Sequence, residues 1–427
     1  CPIYTTQELQ SHITAKSQPH QPDSHDLAFL QHSSGTTGLQ KGVALTHTAV
    51  VQQLQEYGRA IQLTPQDKII SWLPLYHDMG LIAGFLLPLF HGIPLILMSP
   101  FAWVRSPVML LKAISDHQGT LCWLPNFAYN HITRRTRQRD LDGISLTTMR
   151  LFINCSEPVH AASHQLFLER FAPLGANETQ LGVSYAMAEN TFAVSQTPPN
   201  QPAHQDTING RILATEQRAI PVFPDHPHAI THVSCGRPLP QTAVRVTNSH
   251  NHPLAERHIG QITIKSPYML REYHNRPELT PFTSDGWYHT GDMGYIANGE
   301  IYIIGRQKDL IINAGKNIYP QDIEAILNNI TGIQPGRVVV FGIPDKREGT
   351  ELLVALAEAN TTNQKQDQQH QLTRQMRQTV AQQSMVTLSY AQIVPPRWLL
   401  KTSSGKIGRA ANRQKWLAEK NQHNPKT

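Results

Sequence analysis

The sequence predicts an α/β fold built around a parallel sheet, because short apolar runs alternate with longer amphipathic stretches as far as Tyr185. Six runs are predicted strands: Leu27 to Leu30, Ile69 to Leu73, Leu95 to Met98, Thr120 to Leu124, Leu151 to Asn154 and Leu181 to Tyr185. Three stretches between them are predicted helices: Thr48 to Ile61, Val108 to His117 and Ala161 to Phe171. Ligands of such sheets lie at the carboxyl ends of the strands, so a site is expected at that edge.

The second half has a different pattern. Residues Thr197 to His228 are polar and proline-rich with little periodicity, and short alternating strands such as Ala243 to Val246 and Gln261 to Ile264 then predict an antiparallel module. A further unit is predicted from Gly305, with strands at Leu310 to Ile312, Val338 to Phe341 and Leu352 to Ala355, a helix at Gln321 to Asn328, and a Gln-rich helix or linker at Gln364 to Gln383. We predict two domains, residues 1–304 and 305–427.

Composition narrows the class of protein. The chain has 427 residues, 40% of them hydrophobic, which is typical of a globular protein with more than one core. Its four cysteines, Cys1, Cys122, Cys155 and Cys235, form no CxxC pair, so neither a disulfide framework nor a zinc site is predicted and a cytoplasmic location is expected. The formal charge of +6 is modest and no nucleic-acid-binding module is present, so no nucleic-acid partner is expected.

A long uncharged segment runs from Met79 to Val104. It is nearly long enough for a membrane span, but His91 and several prolines divide it into a helix-sized piece and the strand-sized run Leu95 to Met98. We therefore predict a buried helix followed by a buried strand, and no transmembrane segment.

The segment Ser33 to Gly42, SSGTTGLQKG, combines hydroxyl side chains, glycines and one lysine. Glycines bring backbone amides close to phosphate oxygens, hydroxyls donate hydrogen bonds and the lysine adds positive charge, so the loop suits a polyphosphate. It is not a Walker motif, because the glycine spacing differs and Gly42 follows the lysine. The candidate phosphate-binding residues are Ser33, Ser34, Gly35, Thr36, Thr37, Gly38 and Lys41. An ordinary surface connection is the alternative.

Six further segments follow this loop in a fixed order: SWLPLYHDMGL (71–81), SYAMAENT (184–191), GWYHTGD (286–292), GRQKDLIINAGKNIYPQDIE (305–324), VVFGIPD (339–345) and KTSSGKIGR (401–409). Together with the loop they resemble the adenylate-forming superfamily of acyl-CoA synthetases, luciferases and peptide-synthetase adenylation domains. The resemblance extends from about Leu27 to Arg409. Local features, including WLPLYHDMGL, the SEP of residues 156–158 and YAMAE, are most similar to the fatty acyl-AMP ligases of that superfamily.

The resemblance implies a fold: a large N-terminal domain with parallel sheets flanked by helices and a small β-barrel module, and a small mobile α+β C-terminal domain. It also implies that ATP and Mg²⁺ are bound. By resemblance, Tyr185 stacks on adenine, Glu189 is the magnesium ligand and a catalytic residue, Asp292 binds the ribose hydroxyls and Arg306 is a further nucleotide contact. Ser156, Glu157 and Pro158 are assigned to the same site. A core aromatic and a surface ion pair are the alternatives for Tyr185 and Arg306.

Two lysines have mechanistic roles in this resemblance. Lys406 resembles a mobile catalytic lysine that bridges the substrate carboxylate and the α-phosphate while negative charge develops, a form of stabilisation that is often the largest catalytic term. Lys308 occupies the hinge position about which the C-terminal domain moves. Outside this motif, a lysine in a Gly- and Ser-rich loop such as Lys406 would be an exposed surface charge.

The sequence also departs from the family pattern. Gln40 replaces a proline, Ala188 replaces a threonine, and Cys155 with Ser156 replaces a pair of small residues. Family members carry well over a hundred residues before the phosphate loop, whereas here it begins at Ser33. An N-terminally truncated first subdomain is therefore expected.

The expected reaction has two steps: ATP-dependent conversion of a fatty acid to acyl-AMP with release of pyrophosphate, then transfer of the acyl group to the phosphopantetheine thiol of an acyl carrier protein. The segment Thr197 to His228 lies where the fatty acyl-AMP ligases carry an insertion that restrains the C-terminal domain, a plain surface loop being the alternative. Two other functions stay open: a fatty acyl-CoA or aryl-CoA ligase that uses free CoA, and a catalytically weak interaction module.

Overall fold

The computed structural model describes residues 21–32, 41–279, 282–313, 316–345, 350–359, 366–384, 386–401 and 406–423. Its strands are β1 Leu27–His32, β2 Gly42–Thr46, β3 Ile69–Ser71, β4 Leu95–Leu97, β5 Leu121–Leu124, β6 Leu151–Cys155, β7 Leu181–Ala186, β8 Ala193–Gln196, β9 Gln205–Asn209, β10 Ala229–Val233, β11 Arg237–Pro238, β12 Ala243–Thr247, β13 Gly260–Lys265, β14 Glu272–Tyr273, β15 Tyr288–Ala297, β16 Glu300–Arg306, β17 Ile311–Asn313, β18 Lys316–Ile318, β19 Ile333–Asp345, β20 Thr350–Ala359 and β21 Tyr390–Val394.

The α-helices are α1 His47–Ala60, α2 Leu87–His91, α3 Pro100–Arg105, α4 Val108–His117, α5 Asn126–Arg135, α6 Ala161–Phe171, α7 Gly210–Glu216, α8 Pro320–Asn328, α9 Gln366–Ser384 and α10 Arg409–His423. A π-helical segment, Met79–Leu86, precedes α2. Within the described residues no helix is both long and apolar enough to cross a membrane.

The largest sheet has seven strands in the order β11-β8-β7-β6-β5-β3-β4. Strands β3 to β7 are parallel, and β8 is antiparallel to β7. The predicted α/β fold is confirmed by this sheet, against which helices such as α1 and α5 pack through one large apolar core. Strand β4 is an edge strand in which Leu97 is 47% exposed, so the expectation of a buried strand there is wrong.

The prediction that Leu27 to Leu30, just before the glycine-rich segment Ser33 to Gly42, is a strand of the parallel sheet is also wrong. The strand before this segment, β1, does not belong to the parallel sheet but pairs antiparallel with β2 in a separate sheet completed by β14. The loop therefore does not follow a strand of the parallel sheet. Residues 33–40 themselves lie outside the described residues.

The antiparallel module is a four-stranded sheet with the order β12-β13-β15-β16. The polar segment Thr197 to His228, which showed little periodicity, contains β9 and α7, and β9 pairs with β10. Ile208 and Leu213 of this segment are buried in a small core with Tyr319, and this core fixes the segment where local propensity alone is weak.

Many buried apolar residues from Ile311 onward form separate cores, although Tyr319 lies in the small core with Ile208 and Leu213. Strands β19 and β20 are antiparallel, β21 is parallel to β20, and helices α8, α9 and α10 pack on this sheet. Strand β16 continues through the predicted division between residues 304 and 305, which remains a prediction.

Candidate active site

The carboxyl edge of the parallel sheet carries several polar side chains. His77 follows β3, Ser156 and Glu157 follow β6, and Tyr185 lies near the end of β7. Ser156 has a φ of 70°, a left-handed conformation that is unusual for a residue other than glycine. This strained turn after β6 places Ser156 and Glu157 beside the neighbouring strand ends.

The antiparallel sheet supplies a second group. Asp292 on β15 lies opposite Arg306 on β16, and Arg306 Nε is 3.0 Å from Asp292 Oδ1. Tyr185 Oη donates a hydrogen bond to Asp292 Oδ2 at 2.5 Å, which links this sheet to β7. Asp292 is only 4% exposed, and its carboxylate raises the pKa of Arg306 further above the ordinary value. Tyr185, Asp292 and Arg306 therefore form one connected polar group.

These groups border a single cavity of about 330 Å³. The predicted site residues that line it are Lys41, Ser156, Glu157, Pro158, Tyr185, Glu189, Asp292, Arg306 and Lys406. Lys308, the predicted hinge, is not among the residues that line it. The remaining predicted residues, Ser33, Ser34, Gly35, Thr36, Thr37 and Gly38, lie outside the described residues.

Lys406 lines this cavity together with two acidic residues, Asp78 and Glu157. Asp78 is partly buried, and the nearby His77 and Lys406 outweigh its burial, so its pKa lies below the ordinary value. Glu157 accepts a hydrogen bond from Phe127 N at 2.9 Å, but burial dominates and raises its pKa. Both carboxyl groups interact electrostatically with Lys406.

The Glu189 carboxyl group is held by Tyr273. Its Oε1 accepts a hydrogen bond from Tyr273 Oη at 2.9 Å, and burial raises the pKa of its carboxyl group. A partly buried carboxylate at the rim of a cavity suits a cation. Among the described residues no three metal-ligating side chains come together, so Mg²⁺ here would take its other ligands from phosphate and water, as that ion usually does. The residues fit a magnesium-nucleotide complex held by one carboxylate.

Sequence reasoning missed several residues that line the cavity. His77 and Asp78 lie within the SWLPLYHDMGL segment, which was recognised as a motif without a role for these two side chains. His232 on β10 and Asp322 on α8 were also missed, because they meet only through tertiary contact: His232 Nε2 lies 3.4 Å from Asp322 Oδ1. No local signal in the sequence indicates such a pair.

Comparison with known proteins identifies the family. A model described as AMP-binding enzyme matches residues 2–274, and one described as AMP-binding enzyme C-terminal domain matches residues 315–413. The chain belongs to the AMP-binding enzyme family. This confirms the family and fold predicted from the ordered motifs, and the enzyme class, an acid-activating, AMP-forming ligase.

Relatives within the AMP-binding family include fatty-acid ligases. The chain is 33% identical over 409 residues to long-chain-fatty-acid–AMP ligase FadD26 of Mycobacterium marinum, covering 90% of this chain and 68% of that protein. It is 32% identical over 420 residues to medium-chain-fatty-acid–[acyl-carrier-protein] ligase JamA of Moorena producens, covering 95% of this chain and 70% of that protein.

Solved structures give the same family. A structure from a study of fatty acyl-adenylate ligases from E. coli and L. pneumophila superposes with a TM-score of 0.88 at 29% identity, covering 98% of this chain and 75% of that chain. The L. pneumophila fatty acyl-adenylate ligase in complex with acyl adenylate and pyrophosphate has a TM-score of 0.67 at 30% identity, covering 94% of this chain and 71% of that chain.

Proposed function

We propose that the protein activates a fatty acid with ATP. A carboxylate oxygen of the fatty acid attacks the α-phosphorus, the bond between that phosphorus and the oxygen bridging to the β-phosphate breaks, and acyl-AMP and pyrophosphate form. The observation that carries the proposal is the shared cavity, which Lys406 lines together with Tyr185, Asp292 and Glu189. Tyr185, Glu189 and Asp292 come from the N-terminal part of the chain and Lys406 comes from the C-terminal part. A cluster that only stabilised the N-terminal fold would not require this lysine.

The polar group at Asp292 suits a nucleoside. Its two carboxylate oxygens already interact with Tyr185 Oη and Arg306 Nε. A carboxylate has about four lone-pair sites, so each oxygen keeps acceptor capacity for a ribose hydroxyl. The buried Tyr185 ring offers a flat apolar surface for adenine. Arg306 adds positive charge beside the phosphates.

Lys406 would act at the centre of the first step. Its ammonium group would contact both the attacking carboxylate and the α-phosphate and would stabilise the negative charge that grows in the transition state. Asp78 and Glu157 hold that ammonium group in the cavity. Mg²⁺, bound through Glu189, would neutralise charge on the departing pyrophosphate.

The second step of the proposal is acyl transfer to the phosphopantetheine thiol of an acyl carrier protein. The thiolate attacks the acyl carbonyl carbon, and AMP leaves with the oxygen that joined it to the acyl group. The relative JamA supports this choice by its name as an acyl-carrier-protein ligase.

Contacts of the β9–α7–β10 segment further support it. Helix α7 packs against β18, Tyr319 Oη donates to Gln217 Oε1 at 3.2 Å, and His232 meets Asp322 on α8. These contacts support the proposal that the segment restrains the C-terminal domain, as an insertion that limits transfer to free CoA would.

Pyrophosphate release with a panel of fatty acids tests the first step. We expect Lys406→Ala to lower the rate at least a hundredfold, and Lys112→Ala, which changes an exposed lysine on α4, to leave it unchanged.

Mass spectrometry with a holo-carrier protein or CoA as the acceptor tests the second step, acyl transfer. Abundant acyl-CoA would favour a CoA ligase instead. If no fatty acid yields pyrophosphate and Lys406→Ala has no effect, the catalytically weak interaction module would be the only one of these functions that remains.

A further inference from the structure

Arg409 is the last residue of the KTSSGKIGR segment that contains Lys406, and it begins α10. Its guanidinium group makes contacts in three directions. Nη1 donates to Asp309 Oδ2 at 2.7 Å, and Nη2 donates to Glu324 Oε1 and Oε2 at 2.8 and 2.9 Å. Nε donates to Val340 O at 2.8 Å. Every nitrogen of the group is therefore used, in the planar geometry that distinguishes arginine from lysine.

These partners are well shielded from solvent. The side chains of Arg409, Asp309 and Glu324 are 17%, 21% and 16% exposed. Glu324 also accepts a hydrogen bond from Val340 N at 2.8 Å. Burial raises the pKa of Glu324 while the Arg409 charge opposes that effect. Charge-assisted, bidentate bonds in such surroundings are strong and geometrically specific.

Hydrogen bonds connect Leu400, Gly408 and Asn412, and we call these three residues the base of the Lys406 loop. Gly408 N donates to Leu400 O at 3.0 Å, and Asn412 bonds both to Leu400 and to Gly408 O. Arg409 adjoins this base and joins it to α8, whose Gln321 and Asp322 line the active-site cavity, and to Asp309, the residue after the predicted hinge. The base of the Lys406 loop, α8 and Asp309 are thus connected through Arg409.

We propose that Arg409 is a positioning residue for Lys406: it fixes the base of the lysine loop to Glu324 and Asp309, so that the ammonium group reaches the cavity whenever the C-terminal domain is docked. This inference rests on the proposed function, because it gives Arg409 a role only in the step that uses Lys406. A purely structural Arg409 would stabilise the C-terminal domain and affect both steps alike.

The two half-reactions separate these roles. Pyrophosphate release with ATP and fatty acid reports the first, and acyl transfer from chemically synthesised acyl-AMP to a holo-carrier protein reports the second. Arg409→Lys keeps the charge but loses the bidentate geometry, and Glu324→Gln keeps the shape but loses the charge. Arg374→Lys, an exposed position on α9, is the matched control.

For Arg409→Lys and Glu324→Gln we expect kcat for pyrophosphate release to fall at least tenfold, with KM for ATP and the rate of acyl transfer within about twofold of the unmodified protein. The double variant should be little worse than the worse single variant, since both remove the same contact. If Arg409→Lys does not fold, Glu324→Gln and Asp309→Asn test the same link.

Equal losses in both half-reactions, or no loss in the first, would overturn the inference, provided that Lys406→Ala still abolishes pyrophosphate release. If Lys406→Ala has no effect, the proposed function fails instead, and the two failures are distinguishable.

Discussion

Tyr273 donates its hydroxyl to Glu189 Oε1 over 2.9 Å, although 84 residues separate the two in sequence. The same hydroxyl lies 2.9 Å from Tyr288 Oη, and Lys41 Nζ lies 4.6 Å from the centre of the Tyr273 ring. Tyr273 belongs to β14, which pairs with β2 directly after the glycine-rich loop. One buried tyrosine thereby connects the loop lysine, the predicted magnesium ligand and the segment that leads to Asp292.

Replacing this hydroxyl should weaken the metal site without disturbing the lysine. For Tyr273→Phe we expect the Mg²⁺ concentration that gives half-maximal pyrophosphate release to rise about tenfold, which corresponds to about 1.4 kcal/mol. KM for ATP at saturating Mg²⁺ should stay within about twofold, because the ring under Lys41 remains. Steady-state kinetics over a Mg²⁺ series measures both.

Tyr268→Phe is the matched control. Tyr268 is also buried and donates its hydroxyl to Pro240 O at 2.6 Å, but Pro240, unlike Glu189, is not among the residues that line the cavity. Its loss should lower stability and leave the Mg²⁺ dependence unchanged. A Tyr273→Phe protein with an unchanged Mg²⁺ series would show that the bond to Glu189 does not serve the metal site.

Part of the site could be predicted because parallel strands end at one edge. Ser156 follows β6, and Tyr185 and Glu189 lie near and after the end of the neighbouring strand β7. Their closeness can therefore be predicted once the strands are correctly predicted. The contact of Tyr273 with Glu189 and that of His232 with Asp322 join distant segments, which periodicity does not report. The prediction that β1 belongs to the parallel sheet was wrong for a related reason, because an apolar run indicates a strand but does not identify the strand that it pairs with.

Tyr185 and Asp292 can be separated by two substitutions. Tyr185→Phe removes the 2.5 Å bond to Asp292 but keeps the ring, so we expect KM for ATP to change by less than about threefold. Asp292→Asn removes the charge opposite Arg306 and one acceptor for ribose, and should raise KM for ATP at least tenfold. If Tyr185→Phe is as damaging as Tyr185→Leu, the hydroxyl rather than the ring is the important part.

The β9–α7–β10 segment should influence the choice of acceptor. Leu213 on α7 is 2% exposed in the small core that contains Tyr319, and a buried Leu→Ala change costs about 2–5 kcal/mol. We expect Leu213→Ala to loosen the C-terminal domain and increase acyl-CoA formation, measured by mass spectrometry with fatty acid, ATP and CoA. Leu141→Ala, at a buried position in the core of the large sheet, should lower stability without new acyl-CoA. Equal product from both variants would argue against the restraint.

Lys308 should react as an unusually weak base. Burial, the neighbouring Arg306 cation and, to a smaller extent, Lys41 lower its pKa to about 8 from the ordinary 10.5. The carboxylates of Asp309 and Asp292 act in the opposite direction but do not cancel this effect. Only the neutral amine is acetylated, so the pH dependence of labelling at Lys308, read by mass spectrometry, should have its midpoint near 8.

The same shift has a defined effect on stability. A lysine whose pKa is lowered on folding binds fewer protons in the folded state, so the free energy of unfolding should rise with pH between about 8 and about 10.5. Lys308→Met should flatten that rise, measured by denaturant unfolding across the interval. Arg306→Met should move the labelling midpoint of Lys308 upward, because it removes the nearest cation. A labelling midpoint at Lys308 near the ordinary 10.5, or one unmoved by Arg306→Met, would contradict this electrostatic account of Lys308.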